Sequence, residues 1–239
     1  MTTRPAAPQA PRYQADRPPD FRNPPRWHRL AYINRALPRS LERLAAELHV
    51  SRGGRVLDYG CADLPYRRFF PVDVDYVSAD LPGNSDAALE LNPDGTLPVP
   101  DAGFEAVLST QVLEHVADPG LHLSECFRVL RPGGRLLLST HGTMVYHPDP
   151  VDYWRWTCAG LERVVREAGF EIERFEGIMG LAATGLQLIQ ESTYYGLPLR
   201  LKQLYALLMQ TLISVVDRTQ GSESRRLNAL VFALVAKKP

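Results

Sequence analysis

The chain has 239 residues, 45% hydrophobic and 23% charged, a make-up that suits one globular domain with a sizeable core. Lys+Arg and Asp+Glu both number 27, so no global field favours nucleic acid or an anionic membrane. Cys61, Cys126 and Cys158 form neither a disulfide framework nor a zinc pattern and suit a reduced cytoplasmic setting, no apolar signal segment is read at the N-terminus, and no run nears the roughly 18 apolar residues of a spanning helix.

Residues 1–25 are rich in Pro, Ala, Arg and Asp without periodicity and read as a disordered arm, with 26–239 as one domain. From Trp27 to about Leu48, Leu30, Ile33, Leu41, Leu44, Ala45 and Leu48 recur at helical spacing. Pro38 predicts an interruption, giving one or two short helices that pack on a sheet or cover a cofactor. Trp27, His28 and Tyr32 are expected to close over it. Arg55–Asp58 is the first strand, and Gly60 with the small Cys61 and Ala62 makes a tight turn where backbone N–H groups can approach a ligand. A short helix is expected near Pro65–Phe70. The second strand, Tyr76–Ala79, ends at Asp80, 22 positions after Asp58, where a βαβ nucleotide site holds ribose hydroxyls. These residues predict an adenosine-containing cofactor.

Further strands are expected near Ala88–Leu91, at Phe104–Ser109, at Arg135–Thr140, at Phe170–Phe175 and at Asn228–Ala236. Helices are expected at Leu121–Leu130, stopped by Arg131-Pro132-Gly133-Gly134, and at Ala159–Ala168, capped by Thr157 and ended by Gly169. This rhythm predicts an open α/β sheet. An oversized segment, about 177–226, interrupts it as a helical insertion. Leu201, Leu204, Tyr205, Leu208, Leu212 and Val215 make one face of it apolar. That face is read as packing on the sheet or on a second subunit. A lid over an apolar acceptor and a membrane-surface contact are the alternatives, and few Lys or Arg on the polar face weaken the last.

Four blocks in order carry a family resemblance: Val56-Leu57-Asp58-Tyr59-Gly60-Cys61-Ala62; Asp80; Asp94-Gly95-Thr96-Leu97-Pro98 running on into Phe104-Glu105-Ala106-Val107; and Gln111-Val112-Leu113-Glu114-His115-Val116 followed by Arg128-Val129-Leu130-Arg131-Pro132-Gly133-Gly134. From about Arg55 to Phe175, and again in the last strand, the chain resembles the class I S-adenosylmethionine-dependent methyltransferases of the small-molecule, type 11-like kind. The resemblance implies a Rossmann-like, seven-stranded, mostly parallel sheet with helices on both faces. It implies S-adenosylmethionine as cofactor, with Asp58 and Gly60 at the methionine end, Cys61 among the cofactor-binding residues, Asp80 on the ribose, and Leu81 against adenine. Asp94 and Gly95 would sit at the adenine edge, and Ser109, Thr110 and Gln111 would face the sulfonium and acceptor. One departure is that Ala62 stands where the family has a second Gly, which costs little if its φ is negative.

An oxygen acceptor must lose a proton, which calls for a His or a carboxylate. The segment 140–157 is dense with candidates. His141 is the first choice for base, ahead of His147 and His115. Tyr146, Asp149, Asp152, Tyr153, Trp154 and Arg155 are candidate acceptor contacts. The alternative for Trp154 and Trp156 is packing under the following helix, and Arg155 is expected to pair with Asp152 or meet an anion. No metal is expected, because Gln111 stands where relatives that bind one place a carboxylate. The expected function is methyl transfer to a hydroxyl of a sugar, glycan precursor or natural product. A nicotinamide-dependent oxidoreductase and a non-catalytic cofactor-binding protein are the alternatives, and a full G-x-G-x-x-G is missing for the former. Expected partners are the small-molecule acceptor and, through the apolar insertion, a second copy in a homodimer.

Overall fold

The computed structural model describes residues 23–148 and 151–239. The expected arm therefore lies outside the described residues except for 23–25. Seven strands form one sheet in the order β3-β2-β1-β4-β5-β7-β6. They are β1 (Arg55–Tyr59), β2 (Asp75–Asp80), β3 (Leu89–Glu90), β4 (Phe104–Thr110), β5 (Leu130–His141), β6 (Glu171–Gly180) and β7 (Ala229–Lys237). The first five pair in parallel, while β7 runs antiparallel to both β5 and β6. Strand order reverses between β1 and β4, and ligands of such sheets bind at the carboxyl ends around that point.

Successive side chains of the central strands bury on opposite faces. Val56, Leu108 and Leu137 join one core with Ile33, Leu41 and Leu44 of helix α1 (Ala31–Ala46), Ala183 of α4 (Leu181–Tyr194) and Ile213 of α5 (Leu199–Arg218). Leu57, Val107, Leu136 and Leu138 join the other with α2 (Pro119–Val129) and α3 (Cys158–Glu167). A short helix, α6 (Ser222–Leu227), leads into β7. The α3 boundary follows local chemistry, since the Thr157 hydroxyl accepts from Gly160 N–H.

Several boundaries differ from the sequence expectation. Helix α1 runs unbroken through Pro38. An internal proline costs about 3 kcal/mol, and burial of Ile33, Leu41 and Leu44 at about 1.5–3 kcal/mol each offsets it. Only a 3₁₀ turn, Arg67–Phe69, lies between β1 and β2. Arg131–Gly134 end α2 yet belong to the start of β5, where Gly133 N–H donates to Lys238 O and Lys238 N–H to Gly134 O. Strand β6 continues to Gly180 because Gly177 and Ile178 keep pairing with Phe232 and Val231.

Helix α5 is oriented opposite to the packing expected of its apolar face. Ala206, Gln210, Ile213 and Asp217 are buried, while Leu201, Leu204, Leu208, Leu212 and Val215 are 45–61% exposed. The reason is a buried polar junction between α1, α4 and α5. Gln187, Gln190 and Gln210 donate to Arg29 O, and the Arg29 guanidinium holds Glu191 at 2.6 Å. The Tyr32 hydroxyl donates to Asp217 at 2.5 Å. Unpaired, these groups would each cost about 1–3 kcal/mol in the interior, so they face inward and the leucines face out. The same junction turns Tyr32 toward α5, and Trp27 and His28 line a cavity with Tyr194, Leu199 and Lys202. These three residues therefore meet the helical segment, not the β1 turn.

Candidate active site

The turn after β1 is built around Gly60. Its φ is +87°, and a Cβ there would lie 2.4 Å from Val112 Cγ2. Gly60 and Cys61 N–H groups both donate to Ala79 O, tying the turn to the end of β2. Ala62 and Leu64 also adopt positive φ, +45° and +56°. The negative φ that would make Ala62 cheap is absent, so the turn carries strain of order 1 kcal/mol at Ala62.

Asp58 is buried beneath this turn. Its Oδ2 accepts from the Tyr76 hydroxyl at 2.5 Å, and its Oδ1 has no hydrogen-bond partner. Burial pushes the Asp58 carboxyl up to about 7, opposed by the Tyr76 bond and reinforced by Asp80. Asp80 accepts from Ala62 N–H at 2.9 Å, Leu81 N–H at 2.7 Å and Asn84 Nδ2 at 2.7 Å. Cys61 is buried with its sulfur 3.9 Å from Asp80, and Leu81 is half exposed. Asp94 accepts from Thr96 N–H and hydroxyl, which hold its carboxyl below the usual range, and Gly95 O accepts from the Tyr59 hydroxyl.

At the end of β4, Ser109 is sealed inside, 2.8 Å from His122 Nε2, and does not reach the sheet edge. Its neighbour Thr110 is buried, and Gln111 at φ +59° donates to Ser139 Oγ at 3.0 Å. Beyond it, Glu114, His115, His141 and His147 converge. The His115, His141 and His147 rings stand 5.9–6.4 Å apart, centre to centre. Glu114 is fully buried. Its Oε2 accepts from the Thr140 hydroxyl at 2.8 Å, and its Oε1 lies 3.3 Å from His141 Nε2 and 4.0 Å from His115 Nε2. Burial raises the Glu114 carboxyl to about 6 and holds His141 well below its ordinary value. His141 Nδ1 is buried without a hydrogen-bond partner.

The loop after β5 is braced by Arg155. Its guanidinium donates to Asp152 at 2.5 and 2.6 Å and to the carbonyls of Met144, Val145 and Trp154. Arg155 is therefore a brace that leaves no donor for an anion. Asp152 also accepts from His147 N–H. Met144, Tyr146, Asp152, Tyr153 and Arg155 line a cavity of about 270 Å³. Trp154 donates its indole N–H to Val116 O and stacks on Trp156, which packs against the second core. Asp149 lies outside the described residues. Among those described, no three His, Cys, Asp or Glu side chains are grouped to hold a metal ion. Sequence reasoning missed Tyr76 and Asn84, and met Glu114 only as part of the Glu114-His115 pair.

A profile of the methyltransferase domain family matches residues 27–174, more than half of the chain. The chain belongs to the methyltransferase domain family. A protein of Mycolicibacterium smegmatis named as a probable S-adenosylmethionine-dependent methyltransferase is 40% identical over 88 residues, 34% of each chain. A ubiquinone biosynthesis O-methyltransferase of Bradyrhizobium is 35% identical over 125 residues, 47% of this chain and 49% of that one. The methyltransferase domain thus spans about half or less of the curated relatives it matches. Among solved structures, the 4+2 cyclase SpnF superposes with a TM-score of 0.55 at 21% identity, covering 86% of this chain and 82% of that one. That likeness speaks for the fold alone, because one fold hosts several reactions.

Proposed function

We propose that this methyltransferase domain transfers the methyl group of S-adenosylmethionine to a hydroxyl of a small-molecule acceptor such as a sugar, a glycan precursor or a natural-product scaffold. The reading rests on the Glu114–His141 pair, buried at the carboxyl end of β4 and β5 and linked through His147 and Asp152 to the cavity beside it.

The residues of the β1 turn fit the cofactor. The unpartnered Asp58 Oδ1 suits the ammonium of the methionine moiety, and the close approach at Gly60 leaves backbone in place of side chain. Asp80 Oδ1 accepts one hydrogen bond and retains capacity for a ribose hydroxyl. When bound, S-adenosylmethionine supplies an electrophilic methyl group on a positively charged sulfur. Glu114 Oε1 has no hydrogen-bond partner and lies 3.3 Å from His141 Nε2, so an ionised Glu114 would favour the tautomer with the proton on Nε2 and leave Nδ1 as base. The buried, unpartnered His141 Nδ1 would take the proton of an acceptor hydroxyl brought to it as the hydroxyl oxygen accepts the methyl group. Tyr146 and Tyr153, about half exposed, offer walls for a sugar ring or planar acceptor. The main work of such a site is alignment, with general base catalysis adding a factor of about 10²–10⁴.

The test is a screen of hydroxylated acceptors with the wild type and His141→Ala. Loss of about 100-fold in kcat with S-adenosylhomocysteine affinity unchanged supports the assignment. Equal turnover by the variant moves the base to His147 or His115.

A further inference from the structure

We propose that the exposed leucine stripe of α5 is a docking surface for a bilayer containing acidic phospholipids. Leu201, Leu204, Leu208, Leu212 and Val215 advance at intervals of three or four residues and fall on one side of the helix, 45–61% exposed. The helix cannot roll to hide them, because its opposite face is fastened by Gln210 to Arg29 O and by Asp217 to Tyr32 and Gly180 N–H. Exposed contiguous apolar surface of this kind marks an interaction site.

Charge decides among the occupants. The cations of α5 are Arg200, Lys202 and Arg218, and its one acidic residue, Asp217, is buried. At about 100° of rotation per residue, Arg200 and Arg218 fall together on one exposed flank of the stripe, while Lys202 turns toward the buried side and sits over the Tyr194 and Tyr195 rings. A second copy pairing antiparallel about Leu208 would bring Arg200 against the partner's Arg218 on the shared flank, like charge on like. Residues 1–22 contain Met1, Tyr13 and Phe21 as their only large apolar side chains, fewer than the five of the stripe. An acidic bilayer satisfies both features, since leucines enter the acyl boundary while the flanking Arg200 and Arg218 reach phosphates. Trp27, 49% exposed, stands beside the start of α5 on the cavity it shares with Leu199 and Lys202, as an amphipathic ring suited to the headgroup level. No described helix is long and apolar enough to cross a membrane, so the contact is interfacial.

The experiment is flotation of the full chain with phosphatidylcholine vesicles, with and without roughly one third phosphatidylglycerol, alongside sedimentation equilibrium. The inference predicts a monomer that floats with acidic vesicles and is released by salt. Leu204→Gln with Leu208→Gln, both at exposed positions, should lower vesicle affinity at least tenfold, and each of Arg200→Gln and Arg218→Gln by about fivefold. A dimer that L204Q/L208Q dissociates would assign the stripe to a second copy and overturn the proposal. So would a wild-type chain that ignores acidic vesicles, whatever its oligomeric state. Neither readout depends on methyl transfer.

Discussion

Asp58 should make cofactor affinity depend on pH. Its carboxyl is pushed up to about 7, chiefly by burial, with Oδ1 unpartnered. Below that pH the free protein holds Asp58 largely neutral, and an arriving ammonium group must displace the proton. One unit below the pKa about a tenth of the carboxyl is ionised, so affinity for S-adenosylhomocysteine should fall roughly tenfold from pH 8 to pH 6. The stability of the free protein carries the matching sign. A carboxyl raised above its usual range contributes stability at low pH that is lost as pH rises through about 7, here by about 1–2 kcal/mol between pH 6 and 8. Asp58→Asn keeps the Tyr76 contact and removes the charge. It should bind about tenfold more weakly at pH 8, bind nearly as the wild type does at pH 6, and lose the slope. The assay is calorimetry in buffers of different ionisation enthalpy, which counts the proton released. Affinity that is flat from pH 6 to 8, or unchanged in Asp58→Asn, would refute the pairing of this carboxylate with the cofactor.

Three further outcomes are expected. Ala62→Gly should stabilise the chain by up to about 1 kcal/mol in chemical denaturation by relieving φ +45°, and a destabilised variant would contradict the strain reading. The acidic limb of kcat should follow Glu114, raised to about 6. Glu114→Gln should lower kcat and flatten that limb while leaving KM for the cofactor in place, and a retained limb would detach Glu114 from His141. Arg155→Lys should loosen the loop by losing the paired contact to Asp152 and two or more carbonyl bonds. The expected sign is a raised acceptor KM with cofactor affinity intact, and unaltered acceptor kinetics would separate the brace from the cavity.

The sheet was legible because its strands are apolar runs closed by turn residues, and α3 because Thr157 and Gly169 sit at its two ends. Pattern alone could not orient α5. A stripe of leucines divides a helix into two faces, but which one turns inward depended on Arg29, Gln187, Gln190 and Gln210, up to 181 positions apart. Pro38 misled for a similar reason, since the gain that carries α1 through it comes from packing on the sheet. At the site, the three histidines were visible in the sequence. Glu114 acquires its place only where β4 and β5 lie side by side and bring Thr140 and His141 to it. Ser109 was read from strand position, and its bond to His122 on α2 is a tertiary contact that periodicity does not record.

The central claim is a methyltransferase site that binds S-adenosylmethionine at Asp58, Gly60 and Asp80. Titration calorimetry of S-adenosylmethionine and S-adenosylhomocysteine, with NAD and NADP as controls, tests it most directly. Micromolar binding of the first pair and none of the second is the predicted result, and preference for a nicotinamide cofactor, or no binding of either adenosyl compound, would contradict it.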